Sequence, residues 1–204
     1  ICSWFYRAPS DYLNIAGVTG TNGKTTTTII LNQILKYAGK STGLIGTIGI
    51  EVGPEKIAAN FTTPEASELQ SLFATMQERH ISHVAMEVSS HALEANRVSG
   101  SKFKLVGFTN LTQDHLDFHG DMANYFAAKA KLFTSEFGEL GFVNIDDSYG
   151  KKLFETSPIP VIALSRLSKS AQWHYEKIET SPKGYEVAIR GTGGVLIEGR
   201  LNLI

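Results

Sequence analysis

The stretch that decides the fold is Gly17-Val-Thr-Gly-Thr-Asn-Gly-Lys-Thr-Thr26, a glycine-rich loop between a predicted strand and a predicted helix. Leu13 to Thr19 is an apolar run of strand length, and Thr25 to Tyr37 has the apolar spacing of a helix. Glycines let successive backbone N–H groups point at phosphate oxygens, and the helix start adds its positive end. The stretch therefore predicts a P-loop, in which Lys24 reaches the terminal phosphates of a nucleotide and the Thr25 hydroxyl binds Mg²⁺.

The loop departs from the usual Walker A pattern at one position. That pattern has glycine five residues before Gly23, where this chain has Val18, and a glycine stands one position earlier at Gly17. The alternative is a glycine-rich turn that merely precedes a helix. Strand, loop, Lys-Thr and helix in this order favour phosphate binding.

Strands and helices alternate along the chain as far as residue 164. Further strands are predicted at Gly43 to Ile50, His83 to Val88, Lys104 to Thr109, Gly141 to Ile145 and Pro160 to Leu164. One helix is predicted from Thr63, which is expected to cap it, to about Arg79; another runs from about Met122 to Ser135, and a third lies between the last two strands. This alternation predicts an α/β fold with a mostly parallel sheet and helices on both faces.

The end of the chain has a different texture. Tyr185 to Arg190, a Gly191-Thr-Gly-Gly194 turn and Val195 to Leu203 predict an antiparallel hairpin, either an edge of the sheet or a small subdomain. The first dozen residues are expected to be irregular, with Pro9 and Asp11 as breakers.

Composition narrows the class of protein. The chain has 204 residues, 42% of them hydrophobic, and a formal net charge of -1, so neither nucleic acid nor an anionic membrane is expected as a partner. No apolar run approaches the roughly 20 residues of a membrane span. The single cysteine, Cys2, fits a reducing cytoplasm. A cytoplasmic monomer is expected.

Polar residues at strand ends are the next candidates, because ligands of open parallel sheets gather beyond the carboxyl ends of the strands. Glu87 interrupts an apolar strand, and an unpaired buried carboxylate costs several kcal/mol. Mg²⁺ held by nucleotide phosphates would compensate it, and a structural ion pair is the alternative.

A polar loop and the helix after it carry further candidates. The loop from Asn110 to Gly120 contains Asp114, His115, Asp117 and His119, which suit a zinc site, a solvated loop or, the interpretation we favour, one ligand for the nucleotide's metal. In the following helix Lys129 shares a face with Tyr125 and Leu132. An inward lysine is costly unless it is paired or neutralised, and a lysine that snorkels to solvent is the alternative.

These blocks, in this order, resemble the Mur ligase family, and most closely the members that add the third amino acid to the peptidoglycan stem peptide. The resemblance covers most of residues 14 to 145 and rests on Gly17–Thr26, Thr62-Thr63-Pro64, Met86-Glu-Val-Ser-Ser-His-Ala-Leu93 with Arg97, Asn110-Leu-Thr-Gln-Asp-His-Leu-Asp-Phe-His-Gly120 and Tyr125-Phe-Ala-Ala-Lys129. The P-loop identifies only the superfamily, whereas the Glu-Val-Ser-Ser-His-Ala-Leu and Asp-His-Leu-Asp-Phe-His-Gly blocks are more specific. Two positions depart from a common pattern: Ala95 stands where glutamine is sometimes found, and Phe61 where asparagine is.

The resemblance implies a role for each matching residue. Lys24, His115 and Lys129 would be catalytic, with Lys129 carboxylated by CO₂ to a carbamate. ATP would be bound by Gly20, Thr21, Asn22, Gly23, Lys24, Thr25 and Thr26. Mg²⁺ would be held by Thr25, Glu87 and His115. The UDP-muramoyl-peptide substrate would be bound by Thr62, Thr63, Ser89 and Arg97.

The resemblance also implies a two-step reaction. The γ-phosphoryl group of ATP would pass to the D-glutamate carboxylate of UDP-N-acetylmuramoyl-L-alanyl-D-glutamate, and the amine of a diamino acid, meso-diaminopimelate or L-lysine, would displace phosphate from the acyl phosphate. Residues 14–204 would form the family's central ATP-binding domain and residues 1–13 a remnant of an N-terminal domain or linker, with the C-terminal domain absent. Alternatives are another amide ligase of the superfamily, such as folylpolyglutamate or cyanophycin synthetase, or a nucleotide-binding regulatory or kinase-like module.

Overall fold

The computed structural model describes residues 1–182 and 184–201 and contains one sheet of 11 strands. Its spatial order is β11-β10-β9-β8-β7-β6-β1-β5-β2-β3-β4. The strands from β2 through β5, β1, β6, β7 and β8 to β9 pair in parallel, while β3, β4, β10 and β11 pair antiparallel at the two edges. The strands are β1 Asn14–Thr19, β2 Thr42–Gly46, β3 Gly49–Val52, β4 Glu55–Ile57, β5 His83–Glu87, β6 Phe103–Phe108, β7 Gly138–Asn144, β8 Val161–Ser165, β9 Trp173–Ser181, β10 Gly184–Arg190 and β11 Leu196–Leu201.

Helices connect the parallel strands. They are α1 Cys2–Phe5, α2 Lys24–Tyr37, α3 Ala66–Glu78, α4 Ser90–Glu94, α5 Leu116–His119, α6 Met122–Ala130 and α7 Ser148–Thr156, with 3₁₀ turns at Pro9–Tyr12, Lys131–Phe133 and Thr192–Gly194. The chain moves outward from β1 to β2 through α2 and back to β5 through α3, so right-handed crossovers place these two helices on opposite faces. The predicted α/β fold with a mostly parallel sheet is confirmed, and the predicted hairpin is an edge of that sheet.

The central strands form the core because helices cover them. Ile15 in β1, Val84 in β5 and Val106 in β6 are at most 1% exposed, and Phe73 of α3 is fully buried against them. Burial of such side chains stabilises each by about 1.5–3 kcal/mol. The core thus fixes β1, β5 and β6 side by side, and their carboxyl ends meet at one edge.

The corner between β1 and α2 depends on glycine. Gly20 has φ 142° and Gly23 has φ 86°, which L side chains rarely adopt. A Cβ at Gly20 would lie 1.9 Å from the hydroxyl of Thr109, so the neighbouring loop also excludes a larger residue there. These two glycines let the chain turn from the strand into the helix within four residues.

Several local predictions were wrong. Thr63 does not cap α3: the cap residue is Glu65, without a side-chain hydrogen bond, because the Thr63 hydroxyl donates to the carbonyl of Glu87. The helix predicted to reach Ser135 ends at Ala130 in a 3₁₀ turn. Two strands, β4 and β9, were missed, and the expected irregular start contains α1 and a 3₁₀ turn. Leu203, the predicted end of the hairpin, lies outside the described residues.

Candidate functional site

The P-loop is held in place by the segment that follows β6. Thr21 N donates to the Asn110 carbonyl (2.9 Å), and Asn22 N donates to the Asn110 side-chain oxygen (3.0 Å). The Thr109 hydroxyl donates to the Asn22 carbonyl at 2.6 Å. These hydrogen bonds attach the base of the P-loop to the neighbouring segment, while Gly23 at its tip stays exposed.

Lys24 lies across the loop it belongs to. Its Nζ donates to the carbonyl oxygens of Gly20 and Thr21, both at 2.9 Å. Burial lowers the pKa of Lys24, and the charges of Glu87 and Asp114 act in the opposite direction. The amine of Lys24 therefore lies within the P-loop, where it would contact phosphate oxygens bound by the backbone N–H groups.

Glu87 ends β5 beside the strand that leads into the P-loop, in register with Val18. Its side chain is buried (1% exposed), and its carboxylate accepts hydrogen bonds from the Thr25 hydroxyl (2.8 Å) and the Thr47 N–H (2.8 Å). Gly46 makes room for this, because a Cβ there would lie 2.3 Å from Glu87 Oε1. Glu87 thus lies beside the P-loop and bonds directly to its threonine, and metal binding by Glu87 stays a prediction.

Lys129 points inward from α6 and is 1% exposed. Its Nζ donates to the Gly20 carbonyl at 2.9 Å and lies 4.5 Å from the centre of the Tyr125 ring. Burial, together with the charge of Lys24, lowers the pKa of Lys129 to about 7, against the opposing charge of Asp114. The amine is thus buried against the P-loop, and the snorkelling alternative is wrong.

His115 lies farther out, on the loop after β6. Its φ of 50° is in the left-handed region, and its ring packs edge-on against His91 and Tyr125, with centroids 4.8 and 6.2 Å apart. The hydroxyl of Tyr125 lies 3.2 Å from that of Thr21. Tyr125 therefore connects His115 to the P-loop, and direct metal binding by His115 stays a prediction.

The four residues predicted to bind the acceptor substrate lie together beside Glu87. The Thr63 hydroxyl accepts from Ser89 N (3.0 Å), and Arg97 donates to the Thr63 carbonyl (3.2 Å). Arg97 also pairs with Glu65 (2.8 Å) and lies over the ring of Phe61, 4.6 Å from its centre. The hydroxyl of Thr62 reaches that of Thr47 at 3.1 Å.

The residues at the corner suit magnesium by their chemistry. Thr25 and Glu87 offer a hydroxyl and carboxylate oxygens, the hard ligands that Mg²⁺ takes alongside phosphate oxygens and water. Across the described residues, 1–182 and 184–201, no three His, Cys, Asp or Glu side chains are grouped so as to hold a metal ion. A protein-only zinc site therefore lacks a ligand set in this part of the chain.

A cavity of about 560 Å³ opens beside Asn22 and Gly23. Its walls come from the carboxyl ends of β6 to β8, from β9 and from β10. The polar and aromatic lining residues include Asn144, Asp146, Ser165, Trp173 and His174. The cavity is continuous with the P-loop, so a ligand whose phosphates occupy the loop has room for a larger group there.

Sequence reasoning missed Thr47, Asn110 as a support of the loop, and the cavity residues of β9. Thr47 lies inside the predicted strand Gly43 to Ile50, which the structure divides into β2 and β3 at this point, so no strand-end signal marked it. The contacts of Thr47 and Asn110 join residues far apart in sequence, so local patterns do not reveal them. In the described part of the chain, no helix is both long and apolar enough to cross a membrane.

Comparison with known proteins gives the same picture of the fold. Residues 18–204 match the family model described as the Mur ligase middle domain. A solved UDP-N-acetylmuramoyl-L-alanyl-D-glutamate–2,6-diaminopimelate ligase superposes with a TM-score of 0.89 at 24% identity, over 100% of this chain and 43% of that one.

Curated relatives are similar in sequence as well. A protein of Streptomyces avermitilis is 45% identical over 183 residues, which are 89% of this chain and 36% of the relative. One of Clostridium botulinum is 49% identical over 151 residues, 74% of this chain and 31% of the relative. Both carry the name UDP-N-acetylmuramoyl-L-alanyl-D-glutamate–2,6-diaminopimelate ligase. The chain thus spans about a third of the length of these relatives.

Proposed function

This chain belongs to the Mur ligase family, and on that premise we propose that it is the ATP-binding part of a ligase that extends the peptidoglycan stem peptide. The ligase would join the third amino acid to UDP-N-acetylmuramoyl-L-alanyl-D-glutamate. The observation that carries the proposal is the hydrogen bond from the P-loop hydroxyl of Thr25 to the buried carboxylate of Glu87. That contact joins a phosphate-binding loop to an oxygen ligand for a metal, which phosphoryl transfer requires.

Nucleotide phosphates fit the corner between β1 and α2. The backbone N–H groups from Gly20 to Thr26 and the positive end of α2 would bind the phosphate oxygens. Lys24 would exchange its two carbonyl acceptors for phosphate oxygens with a small change of side-chain torsions. The adjoining cavity would hold the base and ribose, with its polar groups at Asn144 and Asp146.

The hydrogen-bond direction at Thr25 leaves it able to bind a metal. The Thr25 hydroxyl donates a hydrogen bond to Glu87, so the lone pairs of its oxygen remain available to a metal ion. Mg²⁺ bound there would neutralise the charge that develops on the transferred phosphoryl group. His115 would complete the ligand set through the loop that Tyr125 holds, as the family resemblance implies.

The acceptor substrate would lie on the other side of Glu87, against Thr62, Thr63, Ser89 and Arg97. Arg97 offers a planar, bidentate donor to a carboxylate or phosphate, and Phe61 holds the guanidinium plane. The D-glutamate carboxylate would attack the γ-phosphorus, ADP would leave, and the incoming amine would then displace phosphate. Lys24 and the metal would supply most of the charge neutralisation.

Lys129 would act as a carbamate. The neutral amine adds to CO₂, forming an N–C bond and releasing one proton to solvent, and burial with the charge of Lys24 lowers the pKa of Lys129 to about 7. The resulting anion would face the positive charge of Lys24, which opposes protonation of the unmodified Lys129. The buried position next to Gly20 would then hold an opposite charge instead of a like one.

The other candidate functions have less support. The relatives at 45% and 49% identity carry the names of muramoyl-peptide ligases, whereas a folylpolyglutamate or cyanophycin synthetase would share the fold alone. The names of these relatives also favour 2,6-diaminopimelate as the amino acid added. A nucleotide-binding module without ligase chemistry leaves the buried amine of Lys129 unexplained.

A phosphate-release assay on the full-length protein tests the proposal. With ATP, Mg²⁺ and UDP-N-acetylmuramoyl-L-alanyl-D-glutamate, we expect phosphate release that requires meso-diaminopimelate or L-lysine and yields the tripeptide product. The matched control replaces the acceptor with the finished tripeptide. Phosphate release that ignores the acceptor, or none with either amino acid, would refute the ligase assignment.

A further inference from the structure

We infer that Thr47 is a positioning residue. It orients the hydroxyl of Thr62 so that this hydroxyl accepts a hydrogen bond from the UDP-muramoyl-dipeptide substrate. The inference rests on the proposed function and adds a recognition element to it. The substrate group that contacts Thr62 would therefore be a hydrogen-bond donor, an amide N–H or a hydroxyl, and not an acceptor.

Thr47 is held by Glu87 from two directions. It lies directly after β2, in the tight connection that pairs Gly46 with Gly49. Its backbone N–H donates to Glu87 Oε1 at 2.8 Å, and its hydroxyl donates to Glu87 Oε2 at 3.3 Å. The residue itself is exposed, although its partner is 1% exposed. Thr47 therefore forms the solvent-facing cover of a buried carboxylate.

The carboxylate sets the direction of the whole chain of hydrogen bonds. An ionised carboxylate only accepts, and a threonine hydroxyl has one proton to give. The proton of Thr47 therefore points to Glu87, and the hydroxyl of Thr62, 3.1 Å away, donates to Thr47. The order is Thr62 to Thr47 to Glu87, and among the described residues the Thr62 hydroxyl has no second hydrogen-bond partner.

The neighbouring threonine cannot serve in the same way. Thr63 is 1% exposed, and its hydroxyl already donates to the Glu87 carbonyl and accepts from Ser89 N. Thr62 is half-buried at the cleft, so its hydroxyl is the one of the pair that a ligand can reach. UDP-N-acetylmuramoyl-L-alanyl-D-glutamate offers donors of both kinds, peptide N–H groups and sugar hydroxyls.

The test compares Thr47→Val with Thr47→Ser in the full-length protein. Valine keeps the shape and the backbone bond to Glu87 but frees the Thr62 hydroxyl to rotate. We expect the KM for the UDP-muramoyl-dipeptide to rise about fivefold, the equivalent of one neutral hydrogen bond, while the KM for ATP and the Mg²⁺ requirement stay within about twofold. Serine should restore the wild-type value. Thr156→Val, an exposed hydroxyl at the end of α7, is the matched control.

A double variant shows whether Thr47 acts through Thr62. Once Thr62→Val has removed the acceptor, adding Thr47→Val should raise the KM no further. Should Thr47→Val fail to fold, Thr47→Ala takes its place, because it also removes the hydroxyl and keeps the backbone bond to Glu87. A substrate methylated at the alanyl-glutamate nitrogen identifies the hydrogen-bond donor. If Thr47→Val no longer raises the KM for this analogue, the donor is the peptide N–H. If it still raises the KM, the donor is a sugar hydroxyl.

Three outcomes overturn the inference. Equal KM values for wild type and Thr47→Val, or additive penalties in the double variant, would show that Thr62 needs no ordering. A rise in the Mg²⁺ requirement with an unchanged dipeptide KM would make Thr47 a support of the carboxylate alone. Each of these leaves the ligase assignment standing, whereas a wild-type protein without ligation would remove both.

Discussion

The amine of Lys129 lies 2.9 Å from the carbonyl oxygen of Gly20, so a buried lysine of α6 packs against the first glycine of the P-loop. The ring of Tyr125 lies 4.5 Å from the same amine and also contacts His115. The two lysines of the site, Lys24 and Lys129, thus donate to one carbonyl oxygen. Like charges so close together are costly, and the charge of Lys24 adds to burial in lowering the pKa of Lys129.

Lys129→Met should stabilise the protein in CO₂-free buffer, by an amount that depends on pH. The pKa of Lys129 is lowered from 10.5 to about 7, so between these values the unfolded state binds more protons than the folded one. Wild-type stability therefore rises with pH across that window. The variant should gain on the order of 4 kcal/mol at pH 7, falling toward zero at pH 10.5. Urea unfolding at several pH values measures this difference.

The control is Lys151→Met, which removes an exposed lysine from α7. Its effect on the free energy of unfolding should be small and independent of pH. A Lys129→Met difference that is constant from pH 7 to 10.5 would show that the buried amine pays no charge penalty.

Lys129→Ala should abolish most ligation, and added short-chain carboxylic acids should restore part of it. The acid would occupy the space of the side chain and supply the anion that the carbamate otherwise provides. We expect a loss of at least about a hundredfold, the scale of removing one charge-stabilising group. Lys131→Ala, next to it but exposed and paired with Glu94, should retain activity and show no response to the acids. Undiminished activity of Lys129→Ala would remove this residue from the site.

Much of this site was predictable because its residues follow buried strands. The P-loop and Glu87 stand at ends of apolar runs, and parallel strands bring such ends to one edge. Lys129 was a candidate because it shares a face of α6 with Tyr125, but this pattern left a snorkelling lysine open, and its role came from the family resemblance. These signals depend only on local pattern and on the topology that alternating strands and helices impose.

What the sequence did not reveal depends on distant partners. Thr63 has the sequence of a helix cap, yet its hydroxyl bonds to Glu87, 24 positions away, so α3 begins without it. Thr47 lies inside a predicted strand, and only the turn between β2 and β3 brings it to Glu87. The strand β9 alternates charged and apolar residues weakly, and its pairing with β8 and β10 decides its conformation.

Lys24→Ala should lose ATP-dependent ligation by at least about a hundredfold, because Lys24 is the amine that the loop itself offers to the terminal phosphates, whereas Lys129 would be a carbamate. Lys40→Ala is the matched control, because Lys40 is exposed and lies just beyond the end of α2. Turnover with saturating ATP measures the loss. Near-normal turnover of Lys24→Ala would defeat the phosphate-loop assignment.

Arg97→Lys should weaken binding of the UDP-muramoyl-dipeptide without changing the KM for ATP. Lysine keeps the charge but loses the planar fork, its contact with Phe61 and one of the bonds to Thr63 or Glu65. We expect the dipeptide KM to rise about tenfold, the scale of one charge-assisted hydrogen bond. Arg79→Lys, a surface pair with Glu55, is the control. A larger effect on the KM for ATP than on that for the dipeptide would contradict the assignment.

The most direct test is a crystal structure of the full-length protein with a non-hydrolysable ATP analogue and Mn²⁺ in place of Mg²⁺. Anomalous scattering locates the metal independently of the protein. The account predicts the terminal phosphates on the backbone of residues 20–26 and a manganese peak within ligand distance of the Thr25 hydroxyl and beside the Glu87 carboxylate. A nucleotide bound elsewhere, or a metal with no relation to Thr25 and Glu87, would contradict it.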